Sequence, residues 1–338
     1  HAGRRRRLPR LKREGEGTMM LSCGDALVDF LPVTAVDGRD ALVPAVGGSC
    51  LNVAVGMARL GVEAGFVGGI STDLFGRMIA DHARASQVDL RFATRSDRQT
   101  TLAFVRTVGG EPQYAFYDEG TASRHWTYRS RSLPFDRIEA LHVGSTTLVD
   151  EQSAAEALAL VQEARGSVTI SFDPNCRPNL VGDKRRYIER MAAFAAAAHI
   201  VRMSDVDFDY LYGDDDPARR AASLIAAGAS LVIMTRGAQG AEAWHKMAGS
   251  VAVAAPAGPV ADTIGAGDSF QAAFLFALQA LGRSEAASLA GMDADELRRA
   301  LSFAAHCAAI TCSRPGADPP HRAEIAADLA RFLPNRPS

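Results

Sequence analysis

Apolar and polar positions change period along this chain, and the changes mark elements. Met20 to Leu31 is an apolar run that predicts a first strand, and Val33 to Val46 alternates around Pro32 and Pro44 in the manner of short edge strands. From Asn52 the period becomes helical (Val53, Met57, Leu60) and stops at Gly61. Gly65 to Ile70 predicts a strand, and Asp73 opens a helix to about Ala85. Thr100 to Val108 and Pro112 to Tyr117 alternate on either side of Gly109-Gly110, a hairpin signal that pairs naturally with 33–46. From Ile138 strands and helices alternate: Leu141 to Val143, helix 151–164, Val168 to Phe172, His199 to Met203, Leu231 to Met234, then helical stretches 270–281 and 296–310. That alternation predicts an α/β fold, a doubly wound, mostly parallel sheet flanked by helices, beside a small β-sheet. The expected boundaries are 19–31, 47–97 and 128–333 for the large domain, with 32–46 and 98–127 for the small sheet.

Composition narrows the class. The chain has 338 residues, 47% of them hydrophobic and 22% charged, which suits a globular body with a sizeable core. The net charge of −2 hides an asymmetry. Residues 1–18 hold seven Arg or Lys against two Glu, leaving 30 basic against 37 acidic residues elsewhere. A mildly acidic body argues against a nucleic-acid surface. The basic stretch is expected to be disordered and to precede a start at Met19 or Met20, the other reading being a targeting or RNA-binding arm. It lacks an apolar signal core, and no later run has the length of a membrane span. Five scattered cysteines without a C-x-x-C pair fit a reduced cytoplasm.

The chemistry concentrates in Asp262-Thr263-Ile264-Gly265-Ala266-Gly267-Asp268-Ser269-Phe270. Gly265 and Gly267 allow a tight bend and close approach of a ligand, and the amides of the helix that follows face one way. With the helix dipole they form a hole for an anion, phosphate oxygens above all. A carboxylate inside such a turn repels phosphate unless it serves as a positioned base, so Asp268 is the candidate proton acceptor. Taken alone, the same pattern also describes a helix capping itself. The three lysines, Lys12, Lys184 and Lys246, do not follow glycine, which excludes a P-loop. The nicotinamide fingerprint lacks its third glycine, and H-E-x-x-H and G-x-S-x-G do not occur.

D-T-I-G-A-G-D-S-F resembles the C-terminal signature of the PfkB (ribokinase-like) carbohydrate kinases, and Gly47 to Gly61 resembles their N-terminal sugar-binding segment. The resemblance runs from about Met20 to Leu333. It implies the ribokinase-like fold, with the small sheet as a lid that excludes water, and ATP-dependent phosphorylation of a terminal sugar hydroxyl. Asp268 is then the base, and Gly265, Ala266 and Gly267 the anion hole. Asp29, Gly47, Gly48 and Asn52 are the implied sugar-binding positions. Arg106 and Tyr117 either reach the sugar or form the lid's own surface. Asp173-Pro174-Asn175-Cys176-Arg177 resembles a D-x-N-x-R segment, in which Arg177 neutralises a phosphate or sugar carboxylate or pairs with Asp173, and Asn175 binds phosphate.

Ser204 and Asp207 stand where the family has N-x-x-E, so Asp207 is expected at Mg²⁺ through water. Thr235, Gly237 and Gly240 match the nucleotide loop, and His306 is an adenine-pocket wall or a core residue. Asp262 and Ile264 resemble the loop that binds a monovalent cation, K⁺. The implied partners are a small sugar and ATP, with no nucleic acid, no membrane and a homodimer through the lid. The motifs G-D-A-L-V-D-F and F-D-P-N-C-R-P-N-L look most like fructokinase-type members. Fructose is therefore the expected sugar, ahead of 2-keto-3-deoxygluconate, ribose and aminoimidazole riboside. A non-catalytic sugar sensor is the alternative of another class.

Overall fold

The structure, a computed structural model, describes residues 18–108 and 111–333. The basic stretch expected to be disordered lies almost wholly outside the described residues. The chain opens with β1 (Met19–Cys23), β2 (Leu27–Thr34) and β3 (Asp40–Gly47), followed by α1 (Ser49–Leu60), β4 (Glu63–Ser71), α2 (Leu74–Ala85) and β5 (Ala93–Ser96). A hairpin of β6 (Thr101–Val108) and β7 (Glu111–Tyr117) comes next. Then β8 (Ile138–Gly144), α3 (Glu151–Ala164), β9 (Thr169–Asp173), α4 (Lys184–Ala197), β10 (Ile200–Ser204), α5 (Asp205–Tyr212), α6 (Pro217–Ala226) and β11 (Leu231–Thr235) alternate. The chain continues through β12 (Ala241–His245), β13 (Gly249–Val253), α7 (Ala266–Ala280), α8 (Ala286–Ala290), α9 (Ala294–Cys312) and α10 (Ala326–Phe332).

Nine strands form one sheet in the order β13-β12-β11-β10-β9-β8-β1-β4-β5, parallel except for the two antiparallel edge strands β12 and β13. Strands buried on both faces read as continuous apolar runs, and β1, with all five residues buried, is such a strand. Two apolar clusters cover the two faces of the sheet, one built on α1, α7 and α9, the other on α3 and α4. Strand order reverses at β1 and β8, from which the chain winds outward in both directions. The space beyond the carboxyl ends of strands at such a reversal is where open α/β sheets bind ligands.

The smaller sheet has the order β3-β2-β6-β7. Its first strand differs from the expectation of a single strand from Met20 to Leu31. The run divides at Gly24–Ala26: β1 pairs with β4 and β8, whereas β2 pairs with β3 and β6. At Gly24 a side chain would lie 2.3 Å from Cys50 Sγ, so the chain can turn out of the large sheet only on glycine. Asp29 is therefore carried by the lid. At the far boundary, Thr121–Trp126 packs on the large domain, with Trp126 buried and Ser123 Oγ donating to the Ala26 carbonyl at 3.0 Å.

Two helices place the glycine turns side by side. A Cβ at Gly56 of α1 would stand 2.6 Å from Ala272 Cβ of α7, so the two helices approach closely there. Asp73 accepts from the amide of Gly76 at 2.7 Å, capping α2, and from the amide and hydroxyl of Thr100 at the foot of β6. It is a structural residue that ties the lid to the body.

Candidate active site

A cavity of about 270 Å³ opens at the strand-order reversal, between the carboxyl ends of β1 and β8, the amino ends of α1 and α7, and the lid. Asp268 enters it from the first turn of α7. The carboxylate is buried, and each of its oxygens has one donor: Ser49 Oγ to Oδ1 at 2.6 Å and Asn52 Nδ2 to Oδ2 at 2.8 Å. Burial raises its pKa above the usual carboxylate value, and the bonds from Ser49 and Asn52 oppose that rise. The two glycine segments thus converge on one carboxyl group.

Gly265 has φ 74 and precedes α7, whose amino end no side chain caps. A Cβ at Gly265 would lie 2.6 Å from Ala317 Cβ, so glycine is required for the conformation and for the contact. The unfilled first turn, open to the cavity through Gly265 and Gly267, is suited to an anion. Ala266 begins the helix without lining the cavity.

Asp29 faces Asp268 from the lid. Burial pushes its carboxyl up to about 7, the charges of Asp25 and Asp268 add to the rise, and Arg177 opposes it. Gly47, beside it on β3, leaves room for this carboxylate: a Cβ there would lie 2.1 Å from Asp29 Oδ2. Gly47→Ala is expected to displace Asp29 and to raise the sugar KM about tenfold, the scale of a lost hydrogen bond to a charged group, with kcat within a factor of three. Steady-state kinetics check it.

Asp25 is one of the residues that sequence reasoning missed, with Ser49 and Arg202. It is buried beneath the cavity and accepts from the Cys50 amide at 3.0 Å, Ser145 Oγ at 2.9 Å and Thr146 Oγ1 at 3.0 Å. It joins the ends of β1 and β8 and the start of α1, and Ser145, with φ 65, is held in a left-handed conformation to reach it. Its only local signal is a carboxylate directly after an apolar strand.

The remaining predicted residues divide. Gly48, Asn52, Asn175, Arg177 and Ile264 line the cavity. Arg177 Nη1 donates to Asn175 Oδ1 at 2.7 Å and to the carbonyls of Asn175 and Cys176, while no direct bond to Asp173 is seen. Asp173 instead pairs with Arg202. The side chain of Arg106 is outside the described residues, and Tyr117 is 64% exposed with its ring against Phe104. Thr235 accepts from Arg202, whereas Gly237 and Gly240 form a turn outside the cavity lining.

Ser204 and Asp207 form a reciprocal cap on α5. Asp207 Oδ2 takes the Ser204 amide and hydroxyl, and Oδ1 takes the Cys176 amide at 2.7 Å, so both oxygens are committed to the protein. Asp262 accepts from the amides of Ile264 at 3.0 Å and Gly316 at 2.9 Å, tying two loops. His306 pairs with Asp328 at 3.0 Å and lies beside Phe332. Among the described residues no group of three His, Cys, Asp or Glu is placed to hold a metal, and no helix is long and apolar enough to cross a membrane.

The reversal of the doubly wound sheet brings a buried carboxylate, a glycine-opened helix and two further acids onto one cavity, an arrangement suited to phosphoryl transfer to an alcohol. The chain belongs to the pfkB family of carbohydrate kinases, whose family model matches residues 20–323. It is similar to a fructokinase of Rhizobium leguminosarum bv. trifolii, 38% identical over 83% of this chain and 86% of that one. Its fold superposes on the ATP-bound fructokinase of Xylella fastidiosa with a TM-score of 0.84, 26% identity, and 93% and 98% of the two chains covered. It also superposes on the aminoimidazole riboside kinase of Salmonella enterica, in complex with aminoimidazole riboside and an ATP analogue, with a TM-score of 0.74, 26% identity, and 93% and 99% coverage. The protein is thus an ATP-dependent sugar kinase of ribokinase-like fold.

Proposed function

We propose that the sugar is fructose and that Asp268 takes the proton from its terminal hydroxyl during transfer. The observation that carries the choice of sugar is the cavity's lining. Asp25, Asp29 and Asp268 stand on the same cavity as Asn52, Ser145 and Thr146, beneath the apolar lid residues Leu27, Leu31, Val105 and Phe116. Clustered acceptors under an apolar roof suit a neutral polyol, whose hydroxyls donate to carboxylates and whose C–H edges meet the lid. An acidic sugar such as 2-keto-3-deoxygluconate would bring its own carboxylate among three others, against two arginines, Arg177 and Arg202, on the same lining.

ATP is the phosphoryl donor, with its γ-phosphate at the amino end of α7. Magnesium enters as the chelate of the nucleotide. Asp207, whose oxygens hold the Cys176 and Ser204 amides, would contact it through water. A monovalent cation in the 262–264 loop accompanies this proposal and predicts that KCl stimulates turnover more than choline chloride at equal ionic strength. We further infer a reduced cytoplasmic setting, supported by five free cysteines, and a dimer through the lid, supported by edge strand β3 with Leu42 and Val43 exposed.

The test is ADP release with fructose, 2-keto-3-deoxygluconate, ribose and aminoimidazole riboside. Fructose is expected to give the highest kcat/KM by about tenfold or more, the scale set by a few well-placed hydrogen bonds. A higher value for any other member of the panel overturns the choice of sugar. Near-zero turnover on every sugar, with ATP and sugar both bound, overturns catalysis in favour of a sensor.

A further inference from the structure

Arg202 carries a charge that proton transfer to Asp268 leaves unused. It stands on β10 among apolar neighbours and is buried, yet it lines the same cavity as Gly265, Gly267 and Asp268. Nη1 donates to Asp173 Oδ2 at 2.5 Å and Nη2 donates to Thr235 Oγ1 at 2.7 Å, so the guanidinium plane is fixed at both ends. Nε has no hydrogen-bond partner, and each terminal nitrogen carries a second N–H beyond the bond just named. The terminal nitrogens lie against the backbone at the start of α7: a Cβ on Gly267 would stand 3.0 Å from Nη2 and 3.1 Å from Nη1.

The charge is secure. Burial works against it, but Asp173, Asp207 and Asp268 outweigh burial and hold its pKa above the ordinary arginine value. His142, whose Nδ1 lies 3.2 Å from Ser171 Oγ, is pushed down to about 3 by burial and by Arg202, so it is neutral and adds no second cation. A guanidinium pre-set by two partners, with donors to spare, beside an uncapped helix end, is the arrangement that stabilises charge on a transferring phosphoryl group.

We propose that Arg202 is a catalytic residue: its guanidinium, reached past the bare backbone of Gly267, stabilises the phosphoryl group as it passes from ATP to the sugar. In that step the sugar oxygen bonds to the γ-phosphorus while the bond to the β,γ-bridging oxygen breaks. The electron pair leaves with ADP, and the hydroxyl proton goes to the Asp268 carboxylate. The proposal rests on ATP-dependent kinase activity and not on which sugar is used.

Neutralising Asp173 is the competing role for Arg202, and removing Arg202 alone would leave that acid buried and unpaired. The comparison is therefore between Asp173→Asn and the double variant Arg202→Gln/Asp173→Asn, assayed with whichever sugar of the panel is turned over fastest. The double variant is expected to show kcat lower by a further factor of roughly 10²–10³, the loss typical of one transition-state donor. Its dissociation constants for ADP and for the sugar should stay within threefold of the single variant. Its affinity for ADP with aluminium fluoride and the sugar, a mimic of the transferring group, should fall by about the same factor as kcat.

Arg202→Lys needs no second change and serves if the double variant fails to fold. It is expected to weaken the aluminium fluoride complex at least tenfold more than ADP. The proposal is overturned if kcat of the double variant matches Asp173→Asn within threefold. It is equally overturned if, in either variant, the aluminium fluoride complex weakens no more than ADP does.

Discussion

Asp268→Asn is expected to lower kcat by roughly 10²–10⁴-fold, the usual worth of a positioned general base, while the sugar dissociation constant moves by less than a factor of three. The amide keeps the shape; its oxygen still accepts from Asn52, and its NH2 can donate to Ser49 Oγ, a hydroxyl that accepts as well as donates. What disappears is the group that takes the proton. Burial raises the Asp268 pKa, so the ionised carboxylate opposes folding at neutral pH, and the variant should melt no lower than the parent. Stopped assays with sugar binding by calorimetry separate the two effects. A loss of less than tenfold, or one matched by weaker sugar binding, removes the role of base.

The second large effect is a pH dependence set by Asp29. With its carboxyl at about 7, Asp29 is mostly protonated at pH 6 and mostly ionised at pH 8. The ionised form accepts hydroxyls through charge-assisted bonds, which are stronger than neutral ones. The ratio kcat/KM, which reports the free enzyme, should rise about tenfold per pH unit below 7 and level off above it. In Asp29→Asn that inflection near 7 should vanish.

Stability moves the other way. A carboxyl at about 7 when folded and 3.8 when unfolded binds the extra proton in the native state between those values. Its contribution to stability is therefore fully present below 3.8 and lost as pH rises to about 7. The difference in melting temperature between the parent and Asp29→Asn, followed from pH 4 to 8, should show that decline. A flat difference, together with an unchanged inflection in the variant, would assign the titration to another group.

Much of the framework was legible because it is local. The helix after Gly48 ends at Gly61 in a left-handed cap, α3 occupies the residues that its alternation marks, and β6 and β7 flank the two glycines of the hairpin signal. The paired signatures implied that Asn52 and Asp268 serve one site, with Asn52 toward the sugar; the bond from Asn52 to Asp268, across 216 residues, is seen only in the structure. Asp25 and Arg202 escaped notice because their partners come from other strands: Asp25 is completed by Ser145 and Thr146, and Arg202 by Asp173 and Thr235. No local window contains those groups.

Ser204 and Asp207 teach the reverse lesson. S-x-x-D has the spacing of a capping box, and the structure uses it as one, a local role that stands beside the water-mediated metal contact proposed for Asp207. The division of Met20 to Leu31 into two strands was hidden because apolar residues continue across Gly24, so periodicity alone could not show a change of sheet. The hairpin β12–β13 was not anticipated either, since strands of five residues give little periodicity to read.

Asp29 and Asp268 stand on different sheets, one on the lid and one on the body. In the proposed roles, the lid therefore supplies one acid and the apolar roof of the sugar site, and the body supplies the base. A descendant could acquire a new diet by exchanging the roof's side chains while inheriting the furnace beneath it unaltered.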